Sequence, residues 1–203
     1  LSYFINMNLA RITALTMLII NFTYIQCYTL YPTNSIEGYI AWLLFPVLFI
    51  VIRLSDFYYI LHALRYFFLF FFASAGIWKF VQGGIFNVDQ MSGILLYQHK
   101  EYLISSPDNW YSSFIYWLVK HSTISFLLYA GATVLELSFF IGFFTIKKDH
   151  LLAAAFILFL MLDVLFMRIS YFEITPFLLT LLYSKYTPPI TSGDYKMRQT
   201  SFR

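Results

Sequence analysis

Residues 122–146 lie between His121 and Lys147 and carry one charged residue, Glu136. About 20 such residues cross the hydrocarbon core of a bilayer as a helix. The sequence therefore predicts a membrane-spanning helix here.

The pattern recurs. The sequence predicts an all-α polytopic transmembrane bundle over residues 1–186, with six spans. The first, 9–31, carries Arg11 at its start and is ended by Pro32. It has no strong basic leader region and no small-x-small cleavage site, so it is expected to remain as a span. The second, 38–53, is short and contains Pro46, with Arg53 placed to snorkel at its end. The third, 66–86, follows Arg65 and contains Lys79. The fourth is 122–146. The fifth, 151–172, contains Asp163 and Arg168, and the sixth, 174–186, has Pro176 near its start. Composition agrees: 60% of the chain is apolar and 11% charged, against about 25% charged in soluble domains. Mean hydropathy is +0.70. A net charge of +3 is too small for capture of nucleic acid.

Basic residues favour the cytoplasmic side of a membrane. Six spans with the N-terminus inside place Arg11, Arg53, Arg65, Lys147, Lys148, Lys185, Lys196, Arg198 and Arg203 inside. Lys79, Lys100, Lys120 and Arg168 fall outside, which accounts for all 13 basic residues. Both termini are then expected on the cytoplasmic or matrix side of a bacterial inner or organellar inner membrane. Residues 187–203, with Pro188 and Pro189, are expected to form a flexible cytoplasmic tail.

The longest non-spanning stretch, 87–121, is expected on the outer side. Ser106-Pro107-Asp108-Asn109 is a helix-start signal. Trp110, Phe114, Trp117 and Leu118 then share one helical face. Residues 109–120 are therefore read as an interfacial helix, with tryptophans at the headgroup boundary; packing on other helices is the alternative.

Charges inside spans are rare, costly and usually paired or functional. Here they are Lys79, Glu136, Asp163 and Arg168. Counted from the cytoplasmic span ends, Lys79 lies at roughly 20 Å, Glu136 at roughly 15 Å and Asp163 at roughly 18 Å. Lys79 is therefore expected to face Glu136, Asp163 or both. Arg168 lies about 7 Å further out and points in another direction. A charge pair that fixes helix register is one reading. A polar pocket for a quinone, a lipid headgroup or a proton is the other. Ala73, Ser74, Ala75 and Gly76 form a small-residue patch suited to close helix packing. The run Phe67–Phe72 is expected to face lipid or core. His62, His99, His121 and His150 are scattered near interfaces or loops, so no metal is expected. Nucleotide-binding, hydrolase and zinc-protease motifs are absent from the sequence.

The segment from Leu64-Arg65-Tyr66 through Ala75-Gly76-Ile77-Trp78-Lys79-Phe80 resembles the first core helix of DoxX/MauE-like membrane proteins, an Arg-initiated helix ending in Gly-x-x-Lys. Val134-Leu135-Glu136-Leu137 with Gly142 is similar to their second core helix, and the basic turn Lys147-Lys148 with the apolar helix after it also fits. The Ala-Gly-x-x-Lys pattern is similar to that of the HTTM proteins, the group containing the vitamin K-dependent carboxylase membrane domain. The resemblance covers residues 64–183. It implies a helical bundle and a link to quinone or thiol redox chemistry. A single cysteine, Cys27, excludes a dithiol relay within the chain, and carboxylation is not carried over.

Three functions follow as expectations. The first is a non-catalytic integral subunit of a larger membrane complex, with lipids and other membrane subunits as partners. The second is a DoxX-like redox component holding a quinone or lipid near Lys79, Glu136 and Asp163. The third is a proton-coupled transporter, disfavoured by the lack of an inverted repeat.

Overall fold

The computed structural model describes residues 7–28, 40–51 and 53–183, and among these every regular element is helical. The first helix, α1, is Met7–Tyr28. Its Thr13, Thr16 and Thr23 hydroxyls donate to the carbonyls of Leu9, Ile12 and Ile19, four residues back. That removes three polar groups from an apolar surface. Ala10 and Ala14 are buried, and the helix packs on Ile40–Phe49. Asn21 donates to the Trp42 carbonyl across that contact. Pro32, the predicted end of the first span, lies outside the described residues.

The predicted second span is not a full-length helix. It forms α2, Ile40–Leu44, which tightens into a 3-10 turn at Phe45–Phe49. Pro46 lacks a backbone N–H and clashes with a preceding carbonyl, which breaks the α-helical ladder. Arg53 is extended, so nothing continues the helix into the next element.

The third helix, α3, is Leu54–Val81, roughly 42 Å long. It begins well before the predicted 66–86. His62 and Arg65 suggest a membrane boundary when read as charges on a line, yet Arg65 is buried inside the helix. The end is set by Gly83 in the left-handed region, φ 74°, whose N–H returns to the Phe80 carbonyl.

A helix absent from the sequence expectation follows: α4, Gln90–Ser105. Met91, Leu95, His99 and Leu103 recur every fourth residue and are buried. Polar residues between them disguise the face. Next comes α5, Trp110–Lys120, with the Asn109 side chain accepting from the Tyr111 N–H at 2.9 Å. The boundary agrees with the capping signal, but the packed face differs. Tyr111, Ser112, Ile115 and Leu118 are buried, Phe114 is half-buried, and Trp110 and Trp117 face outward.

The remaining helices are α6, Ser122–Ser138, extended by a 3-10 segment Phe139–Phe143, then α7, Asp149–Met167, and α8, Phe177–Tyr183. The predicted fifth span stops short of 172 because Arg168 adopts φ 52° and ends α7. With the 3-10 turn before it, α8 forms a shorter apolar helix, Phe172–Tyr183, up to the last described residue. Residues 187–203 lie outside the described residues.

Four helices are long and apolar enough to cross a membrane: Asn8–Cys27, Ser55–Val81, Ser122–Phe143 and Asp149–Met167. The chain is thus all-helical among its described residues and consistent with a membrane protein. Its main core lies between α3, α6, α7 and α8. Phe68 stacks on Phe177 at 5.1 Å and Phe72 on Phe139 at 4.8 Å, with Phe156 edge-on to both. The run Phe67–Phe72 is thereby divided: Phe68, Leu69 and Phe72 are core, while Phe67 and Phe70 face outward. A second cluster forms under α4 and α5 around Leu95, Ile115 and Leu118.

Candidate functional site

Lys79 sits in the last turn of α3 and Glu136 near the end of α6. Lys79 Nζ donates to Glu136 Oε1 at 2.9 Å and lies 5.1 Å from the centre of the Tyr129 ring. The small-residue patch makes this approach possible. A Cβ on Gly76 would stand 2.9 Å from Leu137 Cγ and 3.1 Å from the Leu137 backbone nitrogen. Ala73 is also buried, and the Ser74 hydroxyl returns to the Phe71 carbonyl. Asp163 of α7 is half-buried and within electrostatic reach of both Lys79 and Glu136. The site thus gathers one ammonium and two carboxylates. Glu136 Oε2 is buried and has no hydrogen-bond partner among the described residues.

A second charged site went unanticipated. Arg65 Nε and Nη2 donate to Asp149 Oδ2 and Oδ1 at 2.8 and 2.6 Å, and Nη2 also reaches the Gly142 carbonyl at 2.9 Å. Both side chains are fully buried. A Cβ on Gly142 would collide with Leu69 and Leu152, so the bare backbone is what lets the carbonyl reach the guanidinium. Arg65 and Asp149 both flank predicted spans, where a charge needs no partner, so the sequence gives no sign that they pair.

This pair supplies a register that the predicted span ends could not. Fourteen residues beyond Arg65 on α3 is Lys79, and fourteen beyond Asp149 on α7 is Asp163. The two helices therefore run parallel, and both steps cover roughly 21 Å. The expected span starts, Tyr66 and Leu151, lie one and two residues from this common level.

Arg168 is not part of the cluster. Its guanidinium lies over the rings of Tyr102 and Tyr111, at 4.4 and 4.9 Å from their centres. The end of α7 beside it is capped by other helices. His99 Nε2 donates to the Phe166 carbonyl at 2.7 Å, and the Tyr111 hydroxyl to the Leu165 carbonyl at 3.1 Å. Burial pushes the Tyr111 phenol above its usual range, and Arg168 opposes that shift. His99 is therefore a buried capping residue. Among the described residues no group of three His, Cys, Asp or Glu side chains could hold a metal ion. No family model, no curated protein and no solved structure matches this chain.

Proposed function

We propose that the protein is a non-catalytic integral subunit of a larger membrane complex, in a bacterial inner or organellar inner membrane. One observation carries this reading. Helix α1 is long enough to span, yet 11% of its most apolar window is buried within the chain. Its remaining apolar surface, including Ile12, Ile19, Ile20 and Phe22, is exposed. Lipid alone drives helices together weakly, so neighbouring spans hold one another by packing. A span with so little packing of its own suits contact with another subunit. A photo-crosslinking residue at Ile19 or Ile20 in native membranes tests this. Crosslinks to a second membrane polypeptide are expected. A monomeric chain in mild detergent, crosslinked to lipid alone, overturns the reading.

In this reading the chain makes six passes with both termini inside, and α5 lies among outer headgroups through Trp110 and Trp117. Ile40–Phe49 and Phe172–Tyr183 supply the two short passes. If these segments instead turn back, four passes remain and α4 and α5 change sides. Arg53, Arg65, Lys147 and Lys148 then face the other nine basic residues. Both threadings split nine against four and keep the termini together, so the position of α4 distinguishes them. With Cys27 replaced, Tyr97→Cys is expected to react with an impermeant maleimide from the outer side.

A quinone-binding role, akin to DoxX/MauE-like or HTTM-like proteins, is the second reading. The unpartnered Glu136 Oε2 beside Asp163 favours it, because a buried acceptor without a partner costs about 1–3 kcal/mol. A quinol hydroxyl there would relieve that cost, while the Lys79 ammonium can donate to a quinone carbonyl. Titration of Lys79→Met and Glu136→Gln variants with the quinone and the quinol is expected to show weakened binding; unchanged binding removes both residues from the role.

A further inference from the structure

An open apolar groove of about 680 Å³ runs along the outward side of α7, between it and the start of α5. Leu158, Met161 and Leu165 of α7 line it, with Tyr102 of α4, Trp110 of α5 and Arg168 just past the end of α7. From Leu158 to Leu165 the α7 wall extends roughly 10 Å. Arg168 is exposed and makes no ion pair among the described residues; Glu101 lines an adjoining recess with it but does not pair with it. The guanidinium carbon lies 4.4 and 4.9 Å from the ring centres of Tyr102 and Tyr111, and its N–H groups make no hydrogen bond among the described residues, which leaves them free for a ligand. The Tyr111 ring is itself fixed, because its hydroxyl is bonded to the Leu165 and Phe166 carbonyls. The arginine also occupies φ 52°, a region costly for residues other than glycine and usually kept where surroundings or function demand it.

We propose that this groove binds one anionic phospholipid, its phosphate on Arg168 and an acyl chain along Leu158–Leu165. Charge complementarity selects the occupant: a fork-shaped cation without a carboxylate fits a phosphate bidentately, and an apolar trough leading inward from it fits an acyl chain. Arg168 ends a helix of spanning length, so the cation falls at a membrane boundary and the trough in the hydrocarbon, where phosphate and chain lie in a bilayer. The exposed indole of Trp110 belongs to the same level. This site is separate from the Lys79 centre and does not depend on partner subunits.

The full chain, purified in mild detergent and stripped of lipid, is titrated with phosphatidylglycerol and with phosphatidylcholine, and bound lipid is counted by native mass spectrometry. Phosphatidylglycerol is expected to bind about fivefold more tightly, the value of one basic residue near an anionic lipid. Arg168→Asn removes the charge and retains a residue that tolerates φ > 0; it is expected to abolish the preference. Met161→Trp fills the trough and is expected to weaken both lipids while leaving the preference for charge. Inorganic phosphate is the arm for a headgroup-only site: displacement of the lipid by millimolar phosphate, with Met161→Trp without effect, overturns the lipid assignment. Equal binding of the two lipids, or an unchanged preference in an Arg168→Asn protein with wild-type circular dichroism, overturns the proposal.

Discussion

Arg65 and Lys79 stand on one helix, roughly 21 Å apart along its axis, and each meets a carboxylate from another helix. Around Arg65 the site is closed to solvent, although its buried Nη1 makes no hydrogen bond among the described residues. Three hydrogen bonds engage the guanidinium and its carboxylate, and neither side chain has any exposed surface. Around Lys79 one hydrogen bond closes the pair, the lysine side chain retains 23% of its surface, and one oxygen of Glu136 is unbonded. A second carboxylate, Asp163, stands by. Buried pairs often stabilise no more than an apolar replacement would, but losing one partner is severe. The closed pair therefore reads as a clasp between α3, α7 and the end of α6. The open one retains unused binding capacity, which is what a ligand or proton site requires.

The largest effect is expected from breaking the clasp. Arg65→Met or Asp149→Asn leaves a buried group without its partner and is expected to cost about 3–5 kcal/mol. Thermal unfolding in detergent measures it. The double variant Arg65→Met with Asp149→Leu is expected to recover much of the loss, and failure to do so would mean that the pair specifies the packing rather than balancing charge. Arg65→Lys comes next. It retains charge but cannot present a fork to Asp149 and a further donor to Gly142. About 1.5–3 kcal/mol is expected, the worth of a hydrogen bond to a charged group. A smaller loss follows from Gly76→Ala, which pushes on Leu137 beside the open pair. About 1–3 kcal/mol is expected, the overpacking range, because the added methyl meets the Leu137 backbone nitrogen as well as its side chain. Weakened Lys79–Glu136 contact should accompany it, read as a changed Glu136 carboxylate band in the infrared.

The contrast between the pairs was unevenly visible in the sequence. Lys79 and Glu136 declare themselves, because each interrupts a long apolar run, but depth leaves Glu136 and Asp163 both open as partners of Lys79. Arg65 and Asp149 are equally buried but sit where apolar runs begin, so hydropathy assigns them to the boundary. The 3.6-residue turn of a helix carries no signal for where it emerges from lipid; α3 begins twelve residues earlier, in sequence that reads as its flank. Helix α4 stayed hidden for a different reason. Its buried face includes His99 and Ser92, so an apolar count misses it, whereas the spacing of Met91, Leu95 and Leu103 held the evidence. Capping chemistry was more dependable: Asn109 marked the start of α5, although Tyr111 rather than Trp110 turned inward. Five positions along α7 already separate Arg168 from Asp163 in direction, and the left-handed turn at Arg168 leaves it over Tyr102 and Tyr111.

Lys79→Arg is the mildest change and the most direct test of the difference between the pairs. At a closed site an exchange of arginine and lysine breaks geometry, as expected for Arg65→Lys. At an open site it should not. Lys79 is partly exposed, so a bulkier guanidinium has room, and its second edge can reach the bare Oε2 of Glu136. Stability within about 1 kcal/mol of the parent is expected, as for part-exposed ion pairs. A loss as large as that of Arg65→Lys would show that Lys79 is held as tightly as Arg65. The reading of its surroundings as a site with spare binding capacity would then fail, because no room would exist for a guest.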